Sequence, residues 1–147
     1  MRYQLRQALL AQTFNELRSC GNGRHECQAL WVSPWHAPGV ITEVIHTSHT
    51  AHGAGFTVDQ SWLTGLWAHL ADTQSGVRVQ VHTHPSGAFH SHTDDSWPLI
   101  HTSEFLSLVI PTFALGEIGF RGAHLAEIGP DGSWHTVGVG DHLELVS

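Results

Sequence analysis

Near the N-terminus the apolar positions Leu5, Leu9, Leu10, Phe14 and Leu17 recur at helical spacing, and Gly21 and Gly23 follow as a stop. The pattern predicts a first helix near residues 4–19. The Gly21-Asn22-Gly23 turn then delivers the chain to residues 26–33, Glu-Cys-Gln-Ala-Leu-Trp-Val-Ser, which read as a strand. A second strand over 39–45 follows the turn between Pro34 and Pro38, and the two are expected to pair. Residues 46–56 are rich in His, Thr and Gly without periodicity and read as a loop over one face of the sheet. Asp59 stands where it can cap a second helix, whose stripe is Trp62, Leu63, Leu66, Trp67 and Leu70 and which ends before Gly76. Gly65 inside that stripe costs about 1 kcal/mol relative to Ala. Val77, Val79 and Val81 alternate with Arg78, Gln80 and His82, the signature of a half-buried strand that Pro85 ends. Leu106 to Ile110 is a further apolar strand, and the glycine-punctuated remainder reads as a β-meander closing the sheet. Trp31, Trp62 and Trp67 fall on expected core positions.

Composition narrows the class. The 147 residues fit one domain spanning 1–147, and a 41% hydrophobic share with six Trp and six Phe suffices for a core without disulfide or structural-metal staples. The net charge is −7, and all six basic residues are arginine, with no lysine. No basic stripe is available for a phosphate backbone or an anionic bilayer, so neither nucleic acid nor membrane is an expected partner. The apolar run Ala8-Leu9-Leu10-Ala11 is too short for a signal-peptide core, and the expected location is cytoplasmic. Cys20 and Cys27 fit neither a secreted disulfide framework nor a four-thiolate zinc site, and are expected to be free thiols.

Histidine is the outlier, at 14 residues. Chance alone yields roughly 1.3 His-x-His pairs in such a chain, so a bare pair proves nothing. His82 and His84, however, stand on a predicted strand, where alternate side chains share a face about 6.6 Å apart. Thr83 points the other way, and Pro85 turns the chain into a loop that can return over an ion. Catalytic zinc usually takes three protein ligands and leaves a fourth position for water. Asp94 and Asp95 are the acidic candidates in that loop. Residues 85–103 contain no Glu, which argues against a cupin-type site, and lack the Pro-Cys-x-x-Cys of zinc deaminases.

His82-Thr83-His84-Pro85-Ser86-Gly87 followed by Ser91-His92-Thr93-Asp94 resembles the JAMM signature of the JAB/MPN family, His-x-His-Pro followed by Ser-x-x-Asp. Glu26 occupies the place of that family's early glutamate, and the resemblance spans roughly residues 4–128. It implies an α/β fold with a mixed central sheet flanked by helices, layered as in cytidine deaminases. It also implies zinc on His82, His84 and an aspartate, Glu26 as proton shuttle and Ser91 as a hydrogen-bond donor to the oxyanion. The Ser-x-x-Asp relation selects Asp94, whereas the usual family spacing from the second His selects Asp95. Ser91 to Asp94 also has the form of a helix capping box. Glu43 is the competing base. His90 and His92 are expected at the rim of the site, Trp97 beside a substrate groove, and His46, His49 and His52 on a polar loop.

The stretches Trp97-Pro98-Leu99 and Ser107 to Ala114 resemble stand-alone bacterial JAB proteins found with ubiquitin-like modifiers and their E1 and E2 enzymes. The resemblance thus implies a peptidase or isopeptidase cutting after the C-terminus of a ubiquitin-like protein. The alternatives are a non-catalytic scaffold binding such a partner and an enzyme trimming a sulfur-carrier protein.

Overall fold

Tyr3 and Leu5 are buried while Gln4 and Arg6 are exposed, an alternation that belongs to a strand. The structure, a computed structural model, describes residues 1–52, 55–88 and 100–147, with backbone alone at 50–52 and 55–56. It opens with β1 (Tyr3–Arg6), and only then begins helix α1 (Gln7–Gly21). The expected helix over 4–19 therefore starts three residues late. The reason is non-local: β1 pairs in parallel with β10 (Leu143–Val146), Tyr3 opposite Leu143, and its outer edge takes Gly39 and Ile41. Helix α1 ends at Asn22 in the left-handed region (φ 49°), whose N–H donates to the Arg18 carbonyl. Asparagine tolerates that conformation well.

The central sheet has the order β3-β2-β6-β7-β8-β9. Strand β2 (Gln28–Pro34) runs antiparallel to both β3 (Glu43–His46) and β6 (Ser75–Thr83). Strand β7 (Leu106–Ile110) lies parallel to β6, and β8 (His124–Ile128) and β9 (Trp134–Val137) continue antiparallel as the expected meander. The strand expected over 39–45 is confined to β3, because residues 39–41 bind β1 instead.

Leu10, Phe14 and Leu17 of α1 cover one face of the sheet, against Ala29, Trp31, Val79, Val81, Leu106 and Leu108. The buried Trp31 indole N–H donates to Thr13 Oγ1 at 2.9 Å, and Thr13 donates to the Leu9 carbonyl, so the polar atoms of this interface are satisfied. Helix α2 (Gln60–Asp72) covers the other face, its Leu66 and Leu70 packing with Leu30, Val32 and Val77.

The three valines expected on one face are divided. Trp31 pairs with Val79 but Val32 pairs with Val77, so Arg78 is an extra residue that turns Val77 toward α2. Along α2, Trp62 only partly packs on the core and Trp67 is exposed, because Leu66 and Leu70 fill the contact. Asp59 does precede α2, but its carboxylate accepts a hydrogen bond from Ser48 Oγ at 2.6 Å and caps no helix N–H.

Two further expectations are corrected. Residues 46–56 are no loop throughout: β4 (His49–His52) and β5 (Gly55–Val58) form an antiparallel hairpin, which main-chain pairing builds without apolar alternation. Cys20 and Cys27 are not free thiols but a disulfide, with Cα atoms 6.2 Å apart. The reversal after α1, in which the Arg24 and His25 amides donate to the Gly21 carbonyl, folds the chain back so that the helix end meets the entry to β2. Among the described residues no helix is long and apolar enough to cross a membrane.

Candidate metal centre

His82 lies near the end of β6 and His84 one residue beyond it, between β2 and β7. Both are buried, at 1% and 4% exposure. Their ring centroids are 5.2 Å apart with planes at 57°. Two imidazoles sharing one tetrahedral zinc, at about 2.0–2.1 Å per nitrogen, place their centroids about 5 Å apart. The pair therefore fits a common ion in both chemistry and spacing.

Between them Thr83 points to the opposite face and is buried. Its Oγ1 accepts the Cys27 N–H at 2.9 Å, and its own N–H donates to the Cys27 carbonyl at 3.1 Å. These bonds carry the β2–β6 ladder past its last pair, Gln28 with His82. Continued two residues beyond that pair, the same register would set Glu26 across from His84. Directly opposed residues on antiparallel strands bring their Cβ atoms within about 4.5–5.5 Å. Glu26 thus precedes β2 by two residues instead of opening it, and it is half-buried. Glu43, the competing base, pairs with Val32, six residues along from Glu26 and so roughly 20 Å away at about 3.3 Å per residue. Its carboxylate lies 3.4 Å from His69 Nε2.

The corner after the histidines is braced by backbone. His84 donates its N–H to the Ile110 carbonyl at 3.0 Å and accepts from Phe113 N–H at 2.9 Å, while Thr112 N–H donates to the Ser86 carbonyl at 2.9 Å. Thr112, Phe113 and Ala114 all have left-handed backbone, with φ of 53°, 52° and 59°. That conformation costs an L-residue about 1–2 kcal/mol. The Arg18 guanidinium secures the turn by donating to the Ala114 and Gly116 carbonyls. Helix α1 thereby supports the segment on which His84 rests.

The register extends the His82 row to neighbours that local sequence could not supply. Gln28 stands on one side, Val109 on the other, and His124 beyond Val109. Adjacent strands are about 4.8 Å apart, so the His124 backbone stands nearly 10 Å from that of His82, with Val109 between them. Gln28 and Thr47 are further buried polar residues near this edge. The only sequence signal of Gln28 is a polar residue at a strand position, which becomes informative once the pairing is known, and Thr47, just past β3, carries none. Ser91, Asp94 and Asp95, with the expected rim residues His90, His92 and Trp97, lie outside the described residues.

His46 and His49 of the expected polar loop stand together, ring centroids 5.5 Å apart. Burial pushes the His46 pKa below the ordinary imidazole value, and neighbouring His49 pushes the same way, with Glu16 opposing.

No protein-family model matches the chain. It is 32% identical, over 126 residues, to a protein of Sinorhizobium fredii named "Probable metalloprotease", covering 82% of this chain and 78% of the relative. Among solved structures, a Desulfitobacterium hafniense protein superposes with a TM-score of 0.73 at 12% identity, covering 99% of this chain and 93% of that one. A JAB1/MPN domain protein from Archaeoglobus fulgidus superposes with a TM-score of 0.57 at 15% identity, covering 99% and 98%.

Proposed function

Because the chain belongs to the JAB/MPN metalloprotease family, we propose that it is a zinc-dependent peptidase of the JAMM type, hydrolysing an amide bond after the C-terminus of a ubiquitin-like protein. The observation that carries this reading is the buried His82–His84 pair, with ring centroids 5.2 Å apart. His82 and His84 would hold the ion with Asp94 as third ligand, or Asp95 in the alternative spacing. Zinc bound there supplies Lewis acidity and brings the pKa of a water down to near 7.

The chain's own residues do the rest. Glu26, next in the chain to the Cys27 that bonds Thr83, accepts a proton from the attacking water and returns it to the departing amine. Ser91 donates a hydrogen bond to the carbonyl oxygen as negative charge develops on it. Burial of both imidazoles keeps bulk water from competing for the ligand nitrogens. The choice of a ubiquitin-like substrate, and of E1- or E2-like proteins as companions, rests on the resemblance of residues 97–99 and 107–114 to stand-alone bacterial JAB proteins.

The test is incubation of zinc-loaded protein with ubiquitin-like fusions, followed by intact mass. Cleavage after the modifier's C-terminus, lost in Glu26→Gln, supports the reading. Tight binding without cleavage by the zinc-loaded wild type would replace it with a non-catalytic scaffold, and cleavage of sulfur-carrier precursors alone would move the substrate class.

A further inference from the structure

The Cys20–Cys27 disulfide has an imidazole aimed at it. His49 Nε2 lies 3.4 Å from Cys20 Sγ, and His49 Nδ1 lies 2.7 Å from the Thr47 carbonyl. A carbonyl only accepts, so Nδ1 carries a proton, and in the neutral ring Nε2 turns its lone pair toward the sulfur. Metal-binding histidines are oriented in the same way, by donating the other ring N–H to a fixed acceptor. Thr47 is itself fixed, since its N–H donates to the carbonyl of Gln28, the residue after Cys27.

The two sulfurs and His49 Nε2 all lie within 4.8 Å of one another. Around a tetrahedral zinc, with Zn–S about 2.3 Å and Zn–N about 2.0–2.1 Å, a thiolate sulfur and an imidazole nitrogen sit about 3.5 Å apart. The Cys20–His49 distance already has that value. The sulfurs do not, being covalently bonded to each other where a shared ion needs them about 3.8 Å apart. Disulfide and metal are therefore mutually exclusive occupants. Cys27 is fully buried, but Cys20 is partly exposed beside a groove lined by Ala8, Asn15, Ser19 and His46. A small thiol has access to one sulfur of the pair.

We propose that reduction of Cys20–Cys27 creates a second metal site, formed by Cys20, Cys27 and His49, for zinc or another thiophilic divalent ion, and that reoxidation expels the ion. A low-molecular-weight thiolate attacks the Cys20 sulfur and Cys27 leaves as a thiolate. A second thiol then displaces Cys20, and the two reductant molecules depart as their disulfide. The ion binds as the two cysteine thiol protons leave. In the reverse direction a low-molecular-weight disulfide takes two electrons from the metal-bound thiolates and two protons from solvent. It becomes two thiols as the protein disulfide reforms and the ion is released. The site is distinct from His82 and His84, but Cys27 adjoins Glu26 in the chain, so its occupancy changes the anchoring of that carboxylate.

The test loads the full chain with cobalt(II) after reduction by a phosphine or after oxidation by glutathione disulfide. Thiolate-to-cobalt charge transfer in the near ultraviolet requires sulfur ligands, which a histidine–aspartate centre lacks. Reduced protein is expected to show that band and to hold one equivalent more metal than oxidised protein, and glutathione disulfide should abolish both. Cys20→Ser should lose the band, and His49→Ala should weaken binding by at least about tenfold. A folding defect in the variants is bypassed on the wild type, where zinc should slow alkylation of both cysteines. Equal metal content in the two redox states with no thiolate band, or alkylation indifferent to zinc, overturns the proposal.

Discussion

Cys27 and Thr83 hold each other by two hydrogen bonds, one from the Cys27 amide to the Thr83 hydroxyl and one from the Thr83 amide to the Cys27 carbonyl. Each residue lies between two that matter: Cys27 between Glu26 and Gln28, Thr83 between His82 and His84. Thr83→Val keeps the shape but leaves the buried Cys27 N–H without its acceptor. The expected cost is about 1–3 kcal/mol by urea unfolding, with Thr83→Ser close to wild type. Equal stability of the valine and serine variants would show that the hydroxyl contributes nothing.

Glu26→Gln should retain zinc and substrate but lose turnover by about 10²–10⁴-fold, since the nearly isosteric amide cannot accept a proton. Asp94→Asn should lower zinc content while Asp95→Asn leaves it unchanged. Zinc stoichiometry and single-turnover rates on the three variants decide the roles. Zinc loss in Glu26→Gln would make Glu26 a ligand, and zinc loss in Asp95→Asn alone would make Asp95 the third one.

Chelation should remove activity and leave the fold. The main core joins α1 to the central sheet through Leu10, Phe14, Leu17, Trp31, Val79 and Leu108, and none of these depends on the ion. Circular dichroism should therefore persist in excess chelator. His82→Ala should fail to recover zinc on dialysis, and unfolding on chelation would make the metal structural.

His46 should titrate below the ordinary imidazole value of 6.5, by burial first and by His49 second, with Glu16 opposing. The unfolded chain takes up this proton more readily than the folded one. The contribution to stability is thus complete above the unfolded value and is lost as pH falls from there through the lower folded value. His46→Gln removes this linkage, so between about pH 7 and pH 5 it should lose less stability than wild type. Urea midpoints at the two pH values read the difference, and an NMR titration of His46 at or above 6.5 would contradict the assignment.

The sequence by itself determined what is written in neighbouring residues. The helical spacing of Leu9, Leu10, Phe14 and Leu17 marks α1, the run from Leu106 to Ile110 marks β7, and alternation along β6 sends His82 and His84 to one face. The motif around that pair, His-x-His-Pro followed by Ser-x-x-Asp, resembles that of the JAB/MPN family. Each of these is a local signal, because side-chain direction repeats every two residues in a strand and every 3.6 in a helix.

Only the tertiary structure decided what depends on partners distant in sequence. Leu5 fits the helical stripe, yet it lies in a strand because β10 supplies hydrogen-bond partners some 140 residues away. The β4–β5 hairpin forms from main-chain pairing that leaves no apolar period. The bulge at Arg78 divides the valines between two cores, which the regular alternation conceals. Cys20 and Cys27 meet because the turn after α1 reverses the chain, a geometry that spacing rules do not contain. Likewise, register across β2 sets Gln28 opposite His82 and Glu43 opposite Val32, at the far end of the strand, since hydrogen bonds between strands, unlike periodicity along one, are fixed only when the sheet assembles.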